Sequence, residues 1–563
     1  MAFQISPGVN VSEIDATTVV PSTQQTAGAF AGTFQWGPAE KVKQIDSELT
    51  LVKTYGKPDS GSAVSFFTAS SFLSYGNNLN IVRAVGNLAN NATDGNGSNI
   101  QIKNEDVYEA AYLDVDNSNA YGAFVARYPG TLGNSVTVHV CANTTTYGTW
   151  AYKNYFTSAP GTSEYASSVN GASDEMHIVV VDQDGLLTGS AGSVLETYGF
   201  VSAASDATIN GNTNYYKQVI SNNSKYVYSM SPVDYATTSS TWDRTAAGRT
   251  FGRPLTNIVT NLTSGTNAVP TDGNIQLAYD LFSNKESIDV ALVLTGGHSV
   301  TVQQYVIDTL AVGRADCVAF ISPRYVDVVN QAGSETSNIL NWLTALSRSS
   351  SYVVADSGWK YQFDKYNNSY RWIPLNGDIA GLCVFTDNNR DPWFSPAGFN
   401  RGAIKNSIKL AWNPTKSFRD TLYAAGVNPV ISMPGQGTLL FGDKTLLAKP
   451  SAFDRINVRR LFITLEKSIA QAAKYSMFEL NDEFTRSQFI ALVAPFLREI
   501  QGRRGITDFR VVCDSTNNTQ QVIDSNQFVG DIYIKPARSV NYIQLNFIAV
   551  GTGVDFVTIV GAA

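Results

Sequence analysis

A chain of 563 residues has room for three or four domains of about 150 residues and needs no disulfide or metal to hold its core. Its 40 Lys and Arg against 47 Asp and Glu give a net charge of -7, which excludes the basic surface of a nucleic-acid binder. With 43% hydrophobic residues the chain is too apolar for disorder. Only 15% of residues are charged, so Asn, Ser, Thr and Gly make up the polar surface, which is easily desolvated against a neighbour.

Cys141, Cys317, Cys383 and Cys513 lie far apart, and with three histidines in the chain no zinc site of ordinary spacing can be written. They read as small buried hydrophobes. The opening MAFQISPGVNVSE lacks the basic and apolar regions of a signal peptide, and no apolar run is long enough for a membrane span. The expectation is a cytoplasmically made protein with no membrane insertion.

In chain order, Phe3–Ile14 reads as a short tethered strand around the turn Pro7-Gly8. Ala27–Phe34 reads as a strand, Ser62–Tyr75 as a helix and Asn80–Val85 as a strand. Leu88–Asn99 is a linker rich in Asn and Gly. From Ile100 to Ser240 short strands dominate: Ser135–Cys141, a hairpin joining Ile178–Val181 to Leu186-Leu187, and Tyr226–Met230. After Arg253 strands and helices alternate: Ile288–Leu294, Val302–Val312, Cys317–Ile321, Glu335–Leu346 and Tyr352–Ala355. That order predicts a parallel α/β sheet. Beyond Arg401 the pattern is α+β, with helices Arg455–Leu480 and Asp482–Gln501, then strands Phe509–Cys513, Phe528–Lys535 and Val540–Val550. Phe556–Val560 closes the chain as a short apolar run.

The chemical motifs are weak. Gly437-Thr-Leu-Leu-Phe-Gly442-Asp443-Lys444-Thr445 approximates a phosphate loop, but Asp443 stands where lysine should follow the second glycine, so it reads as a glycine-rich turn. Asp182-Gln-Asp184-Gly185 lacks the later glycine and glutamate of a calcium loop and reads as a hairpin turn. Gly296-Gly297-His298-Ser299 follows a parallel strand, where α/β sheets place their sites, yet has no nucleophile partner. No catalytic, cofactor or metal residues are assigned.

Arg455, Arg459 and Arg460 sit at the start of a helix, against its dipole, and so call for an acidic partner in the fold or on a neighbour. In Val540–Val550, Ile543, Leu545 and Phe547 share one face, and Phe528–Lys535 is expected beside it. Two strands are marginal alone, and the short apolar ends of the chain are available to pair with them, in the same copy or another.

Several words place this sequence near a known family. They are Ser6-Pro-Gly-Val9, Gly32-Thr-Phe-Gln-Trp-Gly-Pro38, NLNIVRAV at 78–85, Tyr128-Pro-Gly-Thr-Leu-Gly-Asn134, the run from Trp359 to Gly381, and, most densely, Ser451–Arg460, Phe478–Asp482, Val511–Thr519 and Ile534–Phe547. The sequence resembles the tail sheath proteins of contractile-tailed, T4-like bacteriophages. Residues 140–250 match no recognised word.

The resemblance implies a non-enzymatic structural protomer that forms stacked hexameric rings around a tail tube and contracts from a metastable extended state to deliver the genome. It implies an α/β and α+β multidomain fold without cofactors: an N-terminal arm (1–23), a central α/β domain (24–94 and 246–400), a β-rich outer insertion (95–245), a C-terminal inner α+β domain facing the tube (401–553) and a C-terminal arm (554–563). The arms, with Ile5, Val9, Val11, Ile14, Phe556, Val557 and Ile559, would exchange strands with an acceptor sheet carrying Ile532, Ile534, Ile543, Leu545 and Phe547. Arg455, Arg459, Arg460, Arg498, Arg503 and Arg504 are candidate contacts to the tube or a neighbour. Expected partners are further copies, the tail tube protein, and baseplate and neck or terminator proteins, in a virion tail assembled in the bacterial cytoplasm. The alternative is a β-rich virion protein that binds the host surface or degrades its glycans.

Overall fold

The structure, a computed structural model, describes residues 25–94, 99–113, 120–541 and 544. The chain divides into two units, meeting between Gln471 and Ala472.

The larger unit opens with β1 (Gly28–Gly32), β2 (Lys43–Ile45), α1 (Ala63–Leu73) and β3 (Leu79–Arg83). Then come β4 (Val136–Cys141), β5 (Glu175–Asp182), β6 (Ser193–Ser202) and β7 (Ile258–Asn261). Alternation follows in α2 (Asp272–Asp280), β8 (Leu292–Leu294), α3 (Val300–Tyr305), β9 (Val318–Ile321), α4 (Glu335–Leu346) and β10 (Val353–Asp356). The hairpin β11 (Trp359–Asp364) and β12 (Ser369–Pro374), α5 (Asn376–Asn389), β13 (Lys409–Leu410), β14 (Val427–Asn428) and α6 (Ile456–Ala473) follow.

Seven strands form one sheet in the order β14-β10-β9-β8-β1-β3-β2, parallel except where β2 joins β3. Its inner strands are covered on both faces, which is why they read as unbroken apolar runs. On one face Phe30, Leu292, Leu294 and Phe320 pack with Phe66, Phe72 and Ile379 from α1 and α5. On the other, Ala29, Ala31, Val293 and Ala319 meet Ile275 and Ala278 of α2 and Val302 of α3. The sheet runs past residue 400 to take in β14, which is two residues long and carries no sequence signature.

Helix α5 lies directly on α1. A Cβ on Gly377 would come within 2.5 Å of the Thr68 carbonyl oxygen, and one on Gly381 would enter the Tyr75 ring. Gly377 lets the two helices approach backbone to backbone, and Gly381, four residues on along the same face, makes room for the Tyr75 ring.

The antiparallel sheet β7-β4-β5-β6 forms a second core with Val138, Val140, Ile178 and Val180. Because β7 belongs to it, and because Thr93 and Asn90 bridge to Thr263 and Thr266, this block closes near residue 266 and not at 245. The return strand of its hairpin starts at Ser193 and not at Leu186. The Asp182 carboxylate accepts from the backbone N–H of Leu187 and Thr188 and so holds those residues in the loop. The block also contains helices at Glu105–Ala111 and Tyr216–Asn223.

One arginine ties this block to the parallel sheet. Arg83, at the end of β3, is buried and donates to the carbonyl oxygens of Phe34 (2.9 Å), Gly37 (2.8 Å), Gln35 (3.2 Å) and Pro129 (2.7 Å). Three of the family-like words, at 32–38, 78–85 and 128–134, therefore meet at one guanidinium. With no carboxylate beside it, burial pulls its pKa down to about 10.

In the smaller unit Asp482 caps α7 (Glu483–Gly502), its side chain accepting from Thr485 N–H at 2.8 Å. β15 (Ile506–Val512) and β16 (Asp531–Pro536) form an antiparallel pair. The helix expected to reach Leu480 stops at Ala473, and Phe478 beyond it takes a left-handed φ of 68°. The partner of β16 is β15; most of the expected strand Val540–Val550 lies outside the described residues.

Candidate assembly interface

The C-terminal edge of a parallel sheet, where strand order reverses, is the usual ligand crevice of α/β folds. Here the reversal falls between β1 and β8, and side chains of the chain itself fill it. His298 is half-buried, stacks on Phe30 at 6.1 Å between centroids, and donates from Nε2 to the Ala31 carbonyl at 2.7 Å. Asn376 bonds the Gly296 carbonyl (2.8 Å), the Gly296 N–H (3.0 Å) and Ser322 Oγ (2.8 Å). The Gly296-Gly297-His298-Ser299 stretch therefore serves packing. Burial lowers the His298 pKa.

Asp356, at the end of β10, accepts from Ser322 Oγ (2.6 Å) and Gly358 N–H (2.9 Å). Burial, with Asp378 adding to it, pushes its pKa up to about 8, against 3.8 for an ordinary aspartate. The folded chain keeps this proton over a range where the unfolded chain has released it. Its stabilisation is therefore full below about pH 4 and is lost as pH rises to about 8. Wild-type stability is expected to fall between pH 5 and pH 8 by about 4 kcal/mol more than that of Asp356→Asn, measured by urea unfolding. Parallel pH profiles would rule this out.

The other weak motifs resolve as structure. Gly437 starts a strand at Gly437–Leu440 with a φ of 75°, Asp443 pairs with Arg455 at 3.2 Å, and Lys444 Nζ donates to the Tyr423 carbonyl at 2.8 Å. Among the described residues no three His, Cys, Asp or Glu side chains gather as a metal site, and no helix is long and apolar enough to cross a membrane.

The first arginine cluster finds its partners within the fold. Arg460 is buried in a two-pronged contact with Asp387 (2.5 and 2.8 Å), and Arg459 is buried between Tyr352 and Phe453, 4.2 and 4.0 Å from their ring centroids. Arg455, half-buried, bonds Tyr423 and Asp443. Burial removes Arg459 and Arg460 as contacts to a tube or neighbour. Arg498, Arg503 and Arg504 are exposed at the end of α7. Arg503 lies 3.3 Å from Glu499, and Arg504 closes the helix at a φ of 67° as Gly505 N–H donates to the Ile500 carbonyl.

Of the expected acceptor residues, Ile532 and Ile534 lie half-buried on one face of β16, opposite Val511 and Phe509 of β15. Ile543, Leu545 and Phe547 lie outside the described residues, as do the arm residues Ile5, Val9, Val11, Ile14, Phe556, Val557 and Ile559. Among the described residues no third strand joins the pair.

The family model of the phage tail sheath protein central domain matches residues 297–446, and that of the phage tail sheath C-terminal domain matches 448–549. The tail sheath protein of Enterobacteria phage T4 is 33% identical over 99% of each chain. That of Vibrio phage KVP40 is 32% identical over 99% of this chain and 100% of its own. The chain belongs to the phage tail sheath protein family. The fold agrees: a sheath tail protein from Desulfitobacterium hafniense superposes with a TM-score of 0.54 at 11% identity, over 94% of this chain and 100% of its own. The helical sheath of the anti-feeding prophage in its contracted state does so with a TM-score of 0.51 at 13% identity, over 97% and 99%.

As a tail sheath protein, this chain is a structural component of a contractile phage tail, and the host-surface binding or glycan-degrading alternative falls away. Its α/β multidomain build is that of the sheath fold. Sequence reasoning singled out the helix-start arginines and passed over Arg83. The signal for Arg83 was present: a lone cation in the apolar strand Asn80–Val85.

Proposed function

We infer that this chain polymerises as stacked hexameric rings around a tail tube and contracts from a metastable extended state, driving the tube through the host envelope. The observation that carries this reading is the antiparallel pair β15–β16, which no third strand joins among the described residues. A pair of strands is marginal by itself, and strands donated by neighbouring copies would complete it. The arms 1–23 and 554–563 are the donors, and the region from Ala472 to residue 553 supplies the inner α+β domain facing the tube. Residues 24–94 and the stretch after about residue 266 build the central domain, and the insertion between them projects outward. Partners are further copies, the tube, the baseplate and neck or terminator proteins. Arg498, Arg503 and Arg504 are exposed candidates for gripping the tube. Assembly takes place in the host cytoplasm and uses neither cofactor nor catalysis.

Contraction in this scheme runs downhill through new contacts between subunits. Purified full-length chain, viewed by electron microscopy without nucleotide, is expected to form striated tubes of contracted geometry. Compact, non-polymerising particles, or tubes that form only with ATP hydrolysis, would overturn the proposal.

A further inference from the structure

The hairpin β11–β12 inverts the usual alternation of a half-covered strand. On β11 the polar residues face inward: Lys360, Gln362 and Asp364 are buried. Lys360 pairs with Asp378 at 2.8 Å, and Asp364 with Arg371 at 2.7 Å. Past the buried Trp359, Phe363 and Tyr370 are exposed, and Tyr361 and Trp372 are half-buried beside them. Tyr361 stands opposite Trp372 and Phe363 opposite Tyr370. Phe363 is 45% and Tyr370 54% exposed. The four rings are continuous: Tyr361 lies 4.6 Å from Trp372 and 5.5 Å from Tyr370, and Phe363 lies 5.2 Å from Tyr370, between centroids.

Lys409 of β13, opposite Tyr361, holds its ammonium 5.0 Å from the Tyr361 ring and 5.6 Å from that of Trp372. No carboxylate pairs with it among the described residues. The strand buries charges and turns its rings to the outside, an arrangement that desolvates favourably only when something covers the rings. Grouped aromatic side chains are what the centre of a protein interface carries.

We propose that the Tyr361, Phe363, Tyr370, Trp372 and Lys409 face docks the acidic surface of a second copy of this chain. The occupant follows from charge. The chain is net acidic at -7, and its acidity is concentrated between residues 95 and 245, where fourteen Asp and Glu face six Lys and Arg. An unpaired lysine above an aromatic floor fits a carboxylate flanked by apolar groups. The inference rests on the sheath reading, because only a polymer presents such a neighbour to every copy.

The test uses the full-length chain. Lys409→Glu and Tyr370→Ala change exposed side chains, so both variants should fold and melt as the wild type does. Each is expected to raise the critical concentration for polymer formation about tenfold. A photo-reactive phenylalanine analogue at position 370 should yield a chain-to-chain adduct whose partner peptide is acidic. If the wild type forms tubes and both variants form them at the same concentration, the docking proposal fails while the sheath reading stands. An adduct with the tube protein or a host component refutes it equally. If the wild type forms no polymer at all, both fall.

Discussion

Removing residues 1–14, or the tail from Asp555, is expected to give soluble, folded subunits that no longer polymerise. β15 and β16 pair over six positions, and among the described residues each leaves its outer edge without a partner strand. A donated strand of five or six residues would form about four backbone hydrogen bonds, each contributing about 1 kcal/mol net. Losing about 4 kcal/mol at each subunit contact raises the concentration needed for assembly roughly a thousandfold. The half-buried Ile532 and Ile534 set which face of an incoming strand is apolar, and so its register. Light scattering and electron microscopy on the truncated chains give the readout, with circular dichroism to verify the fold. Full-length sheaths from either truncation would remove the arms from the mechanism.

Arg83→Met should lower stability by about 3–5 kcal/mol, among the largest effects available to one substitution in this chain. Methionine fills much of the same volume but donates nothing, so the carbonyls of Phe34, Gln35, Gly37 and Pro129 would lose the donor they share. Arg83→Lys should recover only part of the loss, because an ammonium cannot span four acceptors arranged around a planar fork. The measurement is thermal unfolding combined with limited proteolysis across residues 128–134. That segment should become susceptible first, since Pro129 is the acceptor contributed by the second block. A loss under about 1 kcal/mol for Arg83→Met would show that the carbonyls find other donors.

The parallel sheet was the most legible part of the fold. Buried strands such as Val318–Ile321 and Val353–Asp356 are apolar throughout, and the helices between them keep their own period. What escaped was short or held by contacts distant in sequence. β14 has two residues, and β7, with the sequence IVTN, joins β4 from more than a hundred residues away. The hairpin after β5 was misjudged because one buried carboxylate, Asp182, holds in a loop the amides of Thr188 and of Leu187, which pattern alone assigns to a strand. The arginines at the start of α6 were read as needing an acidic partner in the fold or on a neighbour; Asp387 answers Arg460 within the chain, whereas Arg459 lies between the rings of Tyr352 and Phe453, which spacing could not show. The identity of the family was legible from words spread along the whole sequence.

The glycine contact between α1 and α5 has a mechanical consequence. At Gly377 backbone faces backbone, with no flexible side chain in the gap to act as a cushion. Packed interiors compress little, and a joint of this kind has no clearance in which to slip. A push on one helix is passed to the other at full stroke. The α/β body then acts as a solid link, and any shortening of the tail has to be taken up in the couplings that join one link to the next.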